Sequence, residues 1–352
     1  MRRRSFLKSA ALAGAAALPL ARAGFAADKP AEIVVMTWGG LWGNALKDGV
    51  DAAFEAASGI KVLQDRGASP VERITKLKIN LDHQTFDAFQ LHDGLWPLAV
   101  KEGVVEPIDP ASPRLGNLKN VYPRFIHSHW VAQIFSAIGI TYNTKLVKTP
   151  PAAFADLWRP EFKGRIVLPD ITHSIGPDII AIGALAAGKD AKDADAGFEM
   201  LKRMVGQQPI WVKDTDSIMN AFRDEEAVIG LLYTSQTFTV QGWGTPVKWV
   251  FPAEGAIAIS WGTGIAKNTK NKDWAEVYLN LTLDAKTQPF FTKAFNYPGT
   301  NKGSLAELTP ELQARVRYND DELKRLVELD QSFMADHRAE WTDRWNRIVA
   351  AG

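Results

Sequence analysis

The chain has 352 residues and not one cysteine. That absence excludes disulfides, iron–sulfur clusters, thiolate zinc sites and cysteine nucleophiles together. Charge of one sign is also missing: 41 Lys and Arg face 40 Asp and Glu. No basic excess is available for nucleic acid or for an anionic membrane surface. Beyond the first thirty residues no run of about 18 consecutive apolar residues occurs, so no later segment is expected to span a bilayer. The motifs of common hydrolases and nucleotide enzymes are absent too: no nucleophile elbow, no HExxH and no P-loop. Two histidines, His127 and His129, stand at i and i+2 without a third ligand nearby in sequence, a weak basis for a metal site. The six tyrosines (122, 142, 233, 278, 297 and 318) include no adjacent pair of the kind a ferric site uses as hard oxygen ligands.

What is present begins with a leader. Arg3-Arg4-Ser5-Phe6-Leu7-Lys8 is followed by small, mostly apolar residues over 10–20, then by short residues such as Gly24-Phe25-Ala26. This is the order of a secretory signal, and the paired arginines give it twin-arginine character. Residues 1–27 are therefore set aside as a signal peptide removed on export to the periplasm, with the twin-arginine machinery as partner. The leader holds five of the 41 basic residues, leaving 36 against 40 acids, a net charge near −4. A remainder of about 325 residues is long enough for two domains without disulfides.

Along that remainder, short apolar runs end in polar or glycine-rich turns and lead into helical patterns. Ile33-Val34-Val35-Met36 reads as a buried strand ending in Thr37-Trp38-Gly39-Gly40. Leu46, Val50, Ala53, Phe54 and Ala57 then recur at helical spacing until Gly59, and Ile60-Lys61-Val62-Leu63 resumes as strand. Further strands are expected at 86–91, 135–141, 164–168, 229–233, 247–251 and 257–262, with helices over 71–80 and 178–187 and a helical, charged tail over 311–349. The alternation predicts an α/β fold with mostly parallel sheets and ligands at the carboxyl ends of the strands.

The order of several segments resembles the extracellular solute-binding proteins of ABC importers, in particular the spermidine/putrescine-binding type. The segments are Gly59-Ile60-Lys61-Val62, Phe86-Asp87 leading to Lys101-Glu102-Gly103, Ile138-Gly139-Ile140-Thr141-Tyr142-Asn143, Asp156-Leu157-Trp158-Arg159-Pro160-Glu161-Phe162-Lys163-Gly164, Pro252-Ala253-Glu254-Gly255 and Tyr297-Pro298. The resemblance implies a two-lobe periplasmic-binding-protein fold of type II character: 28–138 with 262–310 as lobe one, 139–261 as lobe two, and 311–352 packing on both. It implies a hinge between the lobes, a small-molecule ligand in the cleft, an inner-membrane permease as partner, a monomeric state, and no cofactor or catalysis. An exported enzyme and a ferric receptor of the same fold remain the alternatives.

The expected cleft residues follow from strand ends and from the resemblance. Trp38 is placed to stack on an aliphatic or cationic ligand group, or else belongs to the core. Gly39 and Gly40 either expose N–H groups to an anionic group or form a plain turn. Asp93 either pairs with an amine or caps the next helix. Asp170 and Thr172 match the region where polyamine binders place a carboxylate. Tyr233 matches a strand-end aromatic, with Ser235 and Gln236 beside it; Trp261 lies on the returning crossover, and Tyr297 precedes Pro298. Asp214 to Ser217 read as a helix cap. The polyamine binders carry an acid shortly after Pro-x-Glu-Gly; here residues 257–263 contain none. A buried ammonium without its partner is costly, so a shorter amine, a quaternary ammonium or a zwitterion fits the remaining groups as well as a long diamine does.

Overall fold

Nine strands form one mixed sheet in the computed structural model, which describes residues 28–351. The leader expected over 1–27 lies outside the described residues. The strands are β1 (Glu32–Thr37), β2 (Lys61–Arg66), β3 (Ala88–His92), β4 (Trp130–Asn143), β5 (Ile166–Pro169), β6 (Ile210–Val212), β7 (Ile229–Tyr233), β8 (Val247–Val250) and β9 (Ile257–Ile265). Their order is β2-β1-β3-β9-β4-β7-β5-β6, with β8 attached to β4. The flanks β2-β1-β3 and β6-β5-β7 are parallel, whereas β9 and β4 at the centre run antiparallel to each other and to their outer neighbours.

This is an α/β fold of two lobes. On the first side Met36, Phe89, Leu91, Trp96 and Phe135 form one core, and Ile33, Val35, Leu46, Phe54 and Tyr278 another. On the second side the main core gathers Ile138, Ile140, Leu168, Ile180 and Phe198, and a smaller one gathers Val167, Phe222 and Leu232. Along β4 the packing passes from the first side to the second between Ala137 and Ile138; at the start of β9 the two cores interleave, with Ala256 and Ala258 in the first and Ile257 and Ile259 in or against the second. All fourteen residues of β4 are buried, because both faces are covered along its whole length.

Local chemistry sets the element ends that matter. The helix after β1 starts at Gly40, passes through a π-helical turn at Lys47–Asp51 and ends at Ser58, where Gly59 takes a left-handed conformation (φ 68°). The helix Pro70–Ile79 has Pro at its start and a capping box between Ser69 and Glu72. Where β9 passes β4, Gly262 allows the close approach: a Cβ there would lie 2.4 Å from the Val131 carbonyl oxygen.

The tail breaks into helices Pro310–Val316, Asp320–Arg325 and Gln331–Ala350. It joins both sides of the molecule. Leu326 enters the first core, while Trp341 and Trp345 enter the second. Between them Val327 pairs with the start of β9, donating to the Ala256 carbonyl (2.9 Å) and accepting from the Ala258 N–H (2.8 Å).

Asp51, in the π turn, is 4 % exposed and accepts hydrogen bonds from the Tyr278 hydroxyl (2.7 Å) and the Gln64 amide. Burial pushes its carboxyl up from 3.8 to about 6, against the two hydrogen bonds, which favour ionisation. A folded-state pKa raised above the unfolded one means that the native state binds the extra proton, so stability falls as pH rises from about 3.8 through 6. The wild-type chain is expected to lose about 1 kcal/mol between pH 5 and 7.5 through this group. Urea melts of Asp51→Asn should lack that loss.

Candidate functional site

Segments of the first side converge on an aromatic wall. Trp38 and Gly39 follow β1; Leu41 and Trp42 stand on the first turn of the next helix; Trp261 is in β9; and Phe295 and Tyr297 flank a left-handed Asn296 that ends the helix Gln288–Phe295. These residues line an open cavity of about 350 Å³. The rings support one another: Trp38 meets Trp42 edge-on at 4.8 Å, and Trp261 stacks on Tyr297 at 4.7 Å and 13°. Trp42 is anchored from below, its Nε1 donating to Gln90 Oε1 at 2.8 Å. Leu41 is 66 % exposed at the mouth. Gly39 and Gly40 are exposed, with open space where a Cβ would stand, and Gly40 has φ 59°.

Polar groups of opposite lobes meet beside this wall. Asp93 follows β3 in the first lobe; its Oδ1 accepts from the Gly94 N–H and its Oδ2 from the Ser260 N–H of β9, both at 2.8 Å. Asp178 opens the helix Asp178–Ala186 after β5, in the second lobe. Part of Asp178 stays accessible, yet it sits deep enough that burial raises its carboxyl well above the usual range. The Asp93 charge adds to the rise, and Arg338 on the tail helix opposes it. Tyr233 ends β7 and faces Trp261 at 6.4 Å. Burial pushes its hydroxyl well above 10, and Asp178, Tyr297 and Asp93 add to the rise. Burial likewise raises Tyr297, with a hydrogen bond to the Ser235 side chain acting against it. Both phenols therefore stay neutral at pH 7, able to donate to a ligand and poorly suited to binding a hard metal ion as phenolates. Among the described residues no group of three or more His, Asp or Glu comes together to hold a metal.

Of the residues expected from sequence, Trp38, Gly39, Trp261 and Tyr297 line the cavity, with Gly40 next to it. Tyr233 joins them through its ring, 6.4 Å from that of Trp261, and Asp93 through its bond to the N–H of Ser260, the neighbour of Trp261. Asp170, Thr172 and Gln236 are placed differently. Asp170 Oδ1 accepts from the Thr172 N–H (2.9 Å) and hydroxyl (2.7 Å), an Asx turn that uses both side chains locally. Gln236 Oε1 accepts from the Tyr233 N–H at 3.1 Å and caps the helix Thr234–Gly242. Asp214 caps its helix as expected, accepting from the Ser217 N–H at 2.8 Å. His127 stacks on Trp130 at 4.0 Å and is held below its ordinary pKa by burial.

Sequence reasoning missed Asp178, Trp42 and Phe295. Asp178 opens a helix behind Pro177, where an acid is ordinary dipole chemistry, so nothing local set it apart. Trp42 carried a usable signal: it stands four residues after Trp38, a spacing that aligns side chains once a helix begins.

Comparison with known proteins identifies the family and agrees with the fold. The profile of the family described as "Bacterial extracellular solute-binding protein" matches residues 85–325. The spermidine/putrescine-binding periplasmic protein of Salmonella typhimurium is 25 % identical over 290 residues, covering 77 % of this chain and 79 % of its own. The structure of an ABC transporter protein from Clostridium perfringens superposes with a TM-score of 0.81 at 26 % identity, over 90 % of this chain and 100 % of its own. The spermidine/putrescine ABC transporter substrate-binding protein PotD from Streptococcus pneumoniae superposes with a TM-score of 0.74 at 18 % identity, over 91 % and 100 %. The chain belongs to the bacterial extracellular solute-binding proteins, and the resemblance found in its sequence is to the right branch of known folds.

Asp178 gives the site a measurable electrostatic signature. Its raised folded-state pKa means that ionisation works against folding, so stability is lost as pH rises from the ordinary carboxylate range toward that raised value. Asp178→Asn is therefore expected to raise the melting temperature of the ligand-free protein at pH 7.5 and to have little effect near pH 4. A neutral-pH melting temperature below wild type would contradict this account of the cluster.

Proposed function

We propose that the chain is the solute-binding receptor of an ABC importer, exported to the periplasm, and that it captures a small amine-bearing organic solute between its lobes. The observation that carries this reading is the Asp93–Asp178 interaction beside the aromatic wall. Burial raises the Asp178 carboxyl and the Asp93 charge from the first lobe adds to the rise, so a cation between the two carboxylates would favour ionised Asp178. An ammonium group there is paired rather than buried alone, and the faces of Trp38, Trp261 and Tyr297 favour both a cation and its alkyl chain. The acid absent from 257–263 is thus supplied from elsewhere in the chain. The named ligands of the Salmonella relative, spermidine and putrescine, are amines, which supports the chemical class.

The mechanism is capture without bond chemistry. Residues 28–138 with 262–310 form one lobe and 139–261 the other, with β4 and β9 as the crossings and 311–352 bound to both. Ligand contacts to Asp93 on one side and to Asp178 and Tyr233 on the other exist together only when the lobes are closed, so ligand shifts the population toward the closed form. Docking of that form on a membrane permease would complete delivery. The twin-arginine leader and a monomeric state belong to this proposal.

A thermal-shift screen of ligand-stripped protein against mono-, di- and polyamines, betaines, amino acids and simple carboxylates tests it. A binder at about 100 times Kd should add roughly 2.7 kcal/mol of stability. Amine-bearing compounds are expected to stabilise the wild-type chain, with the effect lost in Asp178→Asn and reduced about tenfold or more in affinity by Trp261→Ala. Stabilisation by carboxylates lacking an amine, undiminished in Asp178→Asn, would overturn the reading.

A further inference from the structure

Arg73, on the helix Pro70–Ile79, has no exposed surface at all. Its Nη1 donates to the Gln90 carbonyl oxygen at 2.6 Å, but Nε and Nη2 have no acceptor among the described residues. Asp65, whose charge it feels, is bonded instead to Lys76 at 2.9 Å. Burial lowers the guanidinium to about 10, which leaves it cationic at neutral pH. A buried cation with idle donors is an expensive arrangement unless something satisfies it.

Its surroundings indicate what that is. The Trp38 ring lies 4.1 Å from the guanidinium carbon and also lines the ligand cavity, so a single side chain touches both. Gln90 next to Arg73 is fully engaged: Oε1 accepts from Thr37 and Trp42, and Nε2 donates to Gln133 Oε1 and the Thr263 hydroxyl. Gln133 Nε2 in the same network is a further buried donor without an acceptor. Every unsatisfied atom in this cluster is a donor, and an acceptor is what it lacks.

We infer that Arg73 is an anion anchor of the ligand site: the captured solute carries a carboxylate, which Arg73 takes up when the Trp38 ring turns aside, as well as an amine. The inference rests on the amine reading above and narrows it to a zwitterion. The two carboxylate oxygens match Nε and Nη2, the parallel donor pair of the guanidinium fork. The ammonium lies at Asp93 and Asp178, and the apolar chain between the charged ends runs along the aromatic wall.

The test is titration calorimetry with ω-amino acids of three to six carbons, each against the n-alkylamine of the same length. The wild-type chain should bind the best-fitting amino acid at least ~10-fold tighter than its alkylamine, in keeping with a charge-assisted bidentate pair. In Arg73→Met that ratio should collapse to about one while alkylamine affinity holds. Arg73→Lys, which keeps the charge but not the fork, should fall between, and it carries the test if the Met variant fails to fold. Alkylamines binding as tightly as amino acids to wild type, or a ratio that survives both substitutions, would make Arg73 a structural prop for Trp38 and overturn the inference while leaving the amine receptor intact. Binding of neither series would overturn the zwitterion inference, and the amine reading would then stand or fall on the di- and polyamines of the wider screen.

Discussion

The antiparallel pairing of β4 with β9 is the constraint on which the rest of the molecule depends. It runs from Trp130 opposite Gly264 to Ile138 opposite Ile257, with a bulge between Ala132 and Ile134 that leaves Gln133 without a register partner. Each parallel flank attaches to this seam, β3 to β9 and β7 to β4. The tail adds Val327 alongside Ile257. Because both lobes hang on the same two strands, a change of twist in the seam moves the lobes relative to each other while each core stays packed. Close-packed cores resist small deformations, so relative motion is confined to such connections.

The same geometry explains why the site is energetically poised. Asp93 is tied to β9 through the Ser260 N–H, at the seam itself, and Asp178 arrives from the second lobe. Burial near the Asp93 charge disfavours the ionised form of Asp178, while the Tyr233 and Tyr297 hydroxyls stay neutral. Arg73 beneath Trp38 is a second unsatisfied charge, of the opposite sign. On the proposed receptor reading, a ligand that supplied partners on both lobes would gain more in a closed form than from either lobe alone, and that differential would shift a two-state equilibrium.

Much of the scaffold was legible in the sequence. Alternating apolar runs gave the β1–helix–β2 unit and the helix end at Gly59, which has the left-handed conformation that position requires. The strand expected at 229–233 is β7 with the same ends. The expected strand at 135–141 lies inside the longer β4, because β4 is buried on both faces and shows no alternation to mark its start. In the site, Trp38, Trp261 and Tyr297 were expected from strand ends and from the family resemblance together, and all three line the cavity. The acids were harder. Asp170 and Asp178 lie eight residues apart in one loop-to-helix segment, and either residue type suits a turn or a helix start. Asp170 is bonded within its own turn, whereas Asp178 faces a charge from the other lobe.

By itself the sequence determined the exclusion of thiol chemistry, the α/β alternation and the family pattern, and it raised the expectation of export. Each of these depends on residues near one another along the chain or on composition as a whole. Only the tertiary structure decided which carboxylates share a site, that Trp42 and Phe295 extend the aromatic wall, and that Arg73 lies buried with two donors unpaired. Those facts depend on segments brought together across the β4–β9 seam or across β1 and β3. Burial and charge pairing depend on distance in space, not on separation along the chain.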